Sequence, residues 1–459
     1  MHRLTAAACL FVLLVSAPPA RADVDLAQQI LAELVASNTA PSGGNDMSEA
    51  IGILVGHLAE AGFEDDDMTV VAPGGGAENL VVRLASPKPT ERPILLMAHL
   101  DVVEALPEDW SVPPYELVEQ DGYFYGRGTV DNKAGAAVIV ANLVRLKREG
   151  YDGDRDLIAM LTGDEETSGA GADWLATEGR HLIDAEFALN SDGGFVILEG
   201  DERTTFVMQT SEKVYVSYRL QALDPGGHSS LPRPDNPVYR IARTLVAQQR
   251  QPFPIDLSET TRAFFASRAP ETSGEERELL EALLAGDLDD PVLERLPDYS
   301  YYNAQARTTC VATQIAGGHA ENALPQTATA VINCRVLPQA DPADVEARLR
   351  ALAEVNDVTL DVVYAARPSP PSPLTPAIVG AVEAVAEELW PGIRLVPEMS
   401  TGATDGLFVR SAGIPVYGVS AIAEVPDELR AHGQDERILI ESFDDSVRYW
   451  YRLLRRLTD

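Results

Sequence analysis

Apolar residues recur at helical spacing in "DLAQQILAELVAS" and "MSEAIGILVGHLAEAG", which predicts two helices near the start of the chain. The pattern then shortens. "ENLVVRLA" and "PILLMAHL" fit strands, "NKAGAAVIVANLVRLKREG" fits a helix stopped at Gly150, "DLIAMLTG" fits a buried strand, and "AEFALNSDGG" fits a strand ending in a turn. Strands alternating with helices predict an α/β domain around a mostly parallel sheet. Ligands of such sheets gather beyond the carboxyl ends of the strands. Polar residues cluster at three of those ends: His99 with Asp101, Glu165 with Glu166, and Asp192.

Further on the order of elements changes. "VYVSYRLQAL" alternates like a strand and "NPVYRIARTLVAQQ" fits a helix. A mixed stretch from about Arg250 to Thr308 contains one helical pattern, "GEERELLEALLAG". Two strands around Val311 and Val331, the helix "DPADVEARLRALAE" and the strand "VTLDVVYA" follow. Apart from the mixed stretch this is the strand-helix-strand-strand-helix-strand order of a ferredoxin-like α+β domain. The proline-rich "RPSPPSPLTP" marks its end, and helix and strand patterns resume through "AIVGAVEAVAEELW", "IPVYGVS" and a C-terminal helix. The expected organisation is an α/β domain of residues 23–211 and 368–459, interrupted by an α+β domain of residues 212–367. A length of 459 residues agrees with more than one core.

Residues 1–22 predict an export signal: His2 and Arg3, an apolar run, and the A-x-A site Ala20-Arg21-Ala22. The apolar run is too short to span a bilayer. Cleavage near Ala22 would leave a secreted or periplasmic protein. With 36 Lys and Arg against 71 Asp and Glu, the net charge is −35. That excludes nucleic acid and anionic membrane surfaces as expected partners, since both require a basic footprint. Outside the signal the cysteines are Cys310 and Cys334, both in strand-like runs. A cross-strand disulfide and two buried free thiols are both open, and two cysteines alone make no thiolate zinc site.

Three adjacent carboxylates, Asp164, Glu165 and Glu166, raise each other's pKa unless positive charge sits among them. Of the seven histidines, His57 and His181 fit structural or solvent-exposed positions, while His99 shares a strand face with Asp101, which could fix its tautomer. Asp131 follows a glycine-rich turn and starts a helix, where an N-cap is the simpler reading. Taken with Glu166, Asp192 and His432, these donors suit two divalent ions.

Six separated motifs, "LLMAHLDVV", "GRGTVDNK", "GDEETSG", "GGHSS", "NALP" and "AHGQDE", together resemble the dinuclear zinc exopeptidases that include carboxypeptidase G, aminoacylase, carnosinase and carboxypeptidase S. The resemblance covers nearly the whole chain after the signal and is nearest the carboxypeptidase S branch. It implies a zinc-exopeptidase catalytic domain with an inserted lid or dimerisation domain, and hydrolysis of a terminal amide in a small peptide or an N-acyl amino acid. Asp131 would bridge two zinc ions, with His99 and Asp192 on one and Glu166 and His432 on the other. Asp101 would orient His99, and the peptide bond after Asp131 would be cis. Glu165 would be the general base acting on the water between the ions, and Asp164 a loop hydrogen-bonder. His228 would donate to the oxyanion, in dimeric relatives across to the partner's site. Asn322, Arg335, Gly402 and Thr404 would hold the substrate, with the Arg335 fork suited to a carboxylate. His319 matches no family role. Asp192 stands where many deacylases and carboxypeptidases of the family carry Glu, a feature shared with aminopeptidases and dipeptidases, so the substrate class stays open between peptides and N-acyl amino acids.

Overall fold

The run Ile94–His99 is buried at every position and therefore belongs at the centre of a sheet rather than on its surface. In the computed structural model, which describes residues 19–425 and 430–459, it occupies that place. The expected signal, residues 1–22, lies outside the described residues except for its last four, which begin the helix Pro19–Ala36. Among the described residues no helix is long and apolar enough to cross a membrane.

Ile94–His99 pairs in parallel with Leu157–Thr162 on one side and Phe187–Asn190 on the other. Val416–Gly418 extends the parallel centre, and antiparallel strands such as Asn79–Leu84 and Glu202–Glu212 carry the ten-stranded sheet outward. Alternate side chains serve two layers. Ile94, Leu96 and Ala98 pack into the core containing the helices Pro19–Ala36, Lys133–Glu149, Pro376–Leu389 and Ile440–Thr458. Leu95 and Met97 pack the opposite way, against Ala170–Ala176 and Gly406–Ser411. The helix predicted to stop at Gly150 does so, with Gly150 as a left-handed C-cap.

The chain leaves this sheet at Glu212 and enters a second one at Val214. Four antiparallel strands lie in the order Thr309–Gly317, Thr327–Val336, Val214–Leu223, Thr359–Tyr364, the ferredoxin-like arrangement. Val216, Tyr218 and Leu220 face a core with Ile241 and Leu349 from the two helices of this unit. The alternate residues Tyr215 and Arg335, directly paired across the strands, are on the other face. Cys310 and Cys334 are opposite each other in the register and form a cross-strand disulfide with Cα atoms 4.0 Å apart.

The mixed stretch resolves into the helices Glu259–Arg268, Gly274–Ala285 and Ser300–Ala306 around Phe264, Phe265 and Leu280. This cluster closes on Val396 of the strand Arg394–Ser400, which belongs to the large sheet. Gln305 Nε2 donates to the Met399 carbonyl at 2.6 Å, tying the same two segments.

Candidate metal centre

Because the three central strands run in parallel, the loops that follow them open on one edge of the sheet. Those loops hold His99 and Asp101, Glu165 and Glu166, and Asp192. Asp131 comes from the turn before the helix Lys133–Glu149, and its peptide bond to Asn132 is cis, as the resemblance implies. His432 comes from the segment before the strand Arg437–Leu439.

The donors converge in two groups that share Asp131. In His99–Asp131–Asp192 and in Asp131–Glu166–His432, one ligand atom per residue lies within 4.8 Å of the others. His99 Nε2 is 2.8 Å from Asp131 Oδ1 and 3.8 Å from Asp192 Oδ2. His432 Nε2 is 3.0 Å from both Asp131 Oδ2 and Glu166 Oε1. Each Asp131 oxygen therefore serves one group. The five residues expected as ligands are together.

Their electrostatics explain the need for added positive charge. Burial, then Asp192, Asp405 and Glu166, push Glu165 up to about 10 against the pull of His99. Burial likewise raises Asp192 well above the carboxylate range. Asp131 goes the other way: despite its burial, His432 and His99 hold its carboxyl well below the ordinary value. Hydrogen bonds to Asp131 and Glu166 raise His432 to about 10. Burial works against a charged His99, yet Asp101, Asp131 and Asp192 keep its proton bound well above the usual range. The carboxylates thus draw protons onto both imidazoles. Two imidazoles with three carboxylates form a donor set suited to zinc-like divalent ions, and two such ions would replace those protons. The residues present fit the pair.

The support beneath the donors was only partly legible in the motifs. His99 Nδ1 is 3.0 Å from the Asp101 carbonyl and 3.5 Å from its carboxylate. That carboxylate accepts the main-chain N–H groups of Glu165 at 3.1 Å and Glu166 at 2.9 Å, so Asp101 orients the acidic turn as well as His99. Asp164 accepts from the Ser168 hydroxyl and from the main-chain N–H groups of Ala170 and Gly171 at the start of the next helix, the loop role expected for it. Glu436, inside the "AHGQDE" motif but without an assigned role, accepts from Val130 N at 2.7 Å and Asp131 N at 3.1 Å and pairs with buried Arg127 at 2.5 Å. Glu212, fully buried, accepts from the Thr404 main chain and hydroxyl and pairs with Arg410 at 2.8 Å, fixing the Gly402–Thr404 loop.

A cavity of about 570 Å³ opens over the donors. Asp131, Glu165, Glu166, Asp192 and His432 line it on one side, and Tyr215, Arg335, Tyr364 and Arg367 on the other. Arg335 stacks on Tyr215 at 4.7 Å and faces this space without an acidic partner among the described residues. Arg367, unremarked in the sequence, pairs with Asp173 and lies over Phe408. Gly402 also lines this cavity, and Thr404 lines its extension. His228 and Asn322 do not line either. They are exposed at a short ladder where Gly227–His228 pairs with Ala323–Leu324. Of the remaining histidines, His57 is 2.7 Å from Glu33, while His181 and His319 are exposed.

The sequence matches the peptidase family M20/M25/M40 over residues 95–456, a span that includes every donor. The chain belongs to that family. Among curated relatives, this M20 member is 28% identical to the N-fatty-acyl-amino acid synthase/hydrolase PM20D1 of Homo sapiens over 377 residues, 80% of this chain and 74% of that one. It is 27% identical to human aminoacylase-1 over 379 residues, 80% and 81% of the two chains. Its fold is similar to the M20 metallo-carboxypeptidase Sso-CP2 of Sulfolobus solfataricus, with a TM-score of 0.68 at 17% identity over 94% of this chain and 99% of that one. Human carnosine dipeptidase 1 gives a TM-score of 0.65 at 15% identity over 95% and 97%. As an M20 family member with such relatives, the chain is a hydrolytic enzyme.

Proposed function

We propose that this hydrolase binds two zinc ions and releases the C-terminal amino acid from a dipeptide or short peptide. The observation that carries the reading is the pair of donor groups sharing Asp131, with Glu165 beside them and Arg335 across the same cavity. When bound, the ions supply the positive charge that polarises an amide carbonyl and acidifies water. Arg335 holds the free carboxylate of the substrate with a two-pronged fork. Glu165, oriented through Asp101, takes the proton of the attacking water and passes it to the departing nitrogen. Glu212 and Arg410 hold the Gly402–Thr404 wall in place.

A second reading, hydrolysis of N-acyl amino acids, is supported by the relation to PM20D1 and aminoacylase-1. Both readings use the same carboxylate site and differ on the acyl side of the bond.

The exposed placement of His228 and Asn322 favours a homodimer. Val238, Tyr239 and Val246 on one helix and Val311 and Ile315 on the edge strand Thr309–Gly317 expose apolar surface on the inserted unit. A second copy bound there would deliver its His228 and Asn322 to this cleft, with His228 donating to the developing oxyanion. The apolar start and its A-x-A site support export, which fractionation of the expressing cell tests.

Metal content and turnover of Glu165→Gln test the central reading. The variant should keep both ions and lose about 10²–10⁴-fold in kcat. Wild-type turnover in the variant would remove Glu165 from the mechanism.

A further inference from the structure

The cleft continues past the donors into a second lobe that the residues assigned so far do not explain. Its volume is about 390 Å³, within the range of small-molecule sites. It shares Asp131, Asp192, Gly402 and Ala403 with the first lobe, so the two meet at the donor groups. Their polar character is opposite. The first lobe has Arg335 and Arg367, whereas among the described residues no Lys or Arg lines the second, which instead has Glu398 and Glu424.

These two carboxyls come from different strands. Glu398 belongs to Arg394–Ser400 and accepts the hydroxyl of Tyr301, a residue of the inserted stretch. Glu424 ends the short strand Ala423–Glu424, half-buried between this lobe and a groove lined by Arg430 and Arg437. Burial, with Glu398 close by, pushes Glu424 up to about 7, and burial pushes Glu398 to about 7 as well. Two half-buried carboxyls side by side repel each other, and a substrate that brings a positively charged donor into the cavity relieves both.

This argument rests on the functional reading above. With the substrate carboxylate on Arg335 and the amide at Asp131 and Asp192, the acyl portion has the second lobe to enter. We infer that this lobe selects substrates with a protonated amine on the acyl side of the scissile bond, paired with Glu398 and Glu424. A long alkyl chain in the same place would strip water from both carboxyls and return no hydrogen bond. The amine is either the free α-amino group of a dipeptide or the side chain of an acyl-side lysine.

The test compares Ala-Leu, Nα-acetyl-Lys-Leu, Nα-acetyl-Ala-Leu and N-dodecanoyl-leucine on the metal-loaded enzyme. At least one amine-bearing substrate should exceed Nα-acetyl-Ala-Leu in kcat/KM by about 10- to 100-fold, the range of a charge-assisted contact. Preference for Ala-Leu alone assigns the α-amine, and preference for Nα-acetyl-Lys-Leu alone assigns the side chain. In the E398Q/E424Q double variant the ratio of amine-bearing to capped substrate should fall toward one, with a partial fall in E424Q. Equal rates in wild type, a ratio that survives both substitutions, or a best substrate of N-dodecanoyl-leucine would overturn the proposal. Calorimetric binding of the same compounds to the E165Q chain separates the two levels. Amine preference in binding without wild-type hydrolysis would keep the lobe and reject the hydrolase reading, whereas hydrolysis without preference would do the reverse.

Discussion

Asp101 shows how much one carboxylate can organise. It is buried, and it holds both His99 and the main chain of Glu165 and Glu166. Asp101→Asn places an amide NH₂ where one oxygen accepted, so an amide donor meets a main-chain donor. Metal affinity should drop by about 10–100-fold, the usual cost of losing a ligand's support, and competition with a chelator measures it. The candidate ligands were legible because each sits in a short motif at a strand or helix end. Their supports were less so. Glu436 and Glu212 act on main-chain N–H groups, contacts that no spacing encodes, and Glu212 meets Thr404 from 192 positions away. Arg335 was expected as a fork for a carboxylate; its stacking on Tyr215 depends on the strand register and was not legible.

At the scale of elements, regular period decided what could be read. The helices Lys133–Glu149 and Pro376–Leu389 repeat apolar residues every three or four positions, and both were legible. The strand Glu202–Glu212 was not. Its last eight residues are all buried, so no alternation of apolar and polar positions marks it, and its Thr, Gln, Ser and Glu side chains read as loop. Their burial is sustained by partners elsewhere: Gln209 reaches Glu212, Thr210 meets Thr260, and Glu212 meets Arg410. Arg410→Met would leave Glu212 charged and unpaired inside the protein. Loss of one partner from such a pair costs about 3–5 kcal/mol, which chemical denaturation should show, together with a raised KM as the Gly402–Thr404 wall loosens. In the stretch from about 250 to 308 the helix Gly274–Ala285 was legible, but the rest was opaque, because these helices pack on the strand Arg394–Ser400 and not on one another alone.

Across the whole molecule, the chain passes from the main sheet into the inserted unit through a fully buried residue, Lys213, whose Nζ donates to the Arg307 carbonyl at 2.7 Å. Burial, helped by Arg335, lowers its pKa from 10.5 to about 7. Between those values the unfolded chain binds a proton that the folded chain lacks, so this residue makes stability rise with pH across the interval. Below 7 both states are charged and the burial cost is complete. Lys213→Met should flatten that rise in thermal melts taken from neutral to alkaline pH. The ferredoxin-like order of the inserted unit was legible from the sequence, but where His228 acts was not, because in the proposed homodimer that would depend on a second chain. Mixing His228→Ala chains with Glu165→Gln chains should restore turnover that neither has alone, since one cleft of a mixed dimer then holds both residues. Absence of recovery from dimeric mixtures would place His228 outside the reaction.

Glu202–Glu212 and Val214–Leu223 are nearly one unbroken ribbon, interrupted at Lys213 alone. Any rocking of the smaller sheet would therefore pull on Glu212 and, through it, on the hydroxyl of Thr404. Closing over one end of a bound molecule would reshape the wall against its opposite end, so the two ends are sensed together.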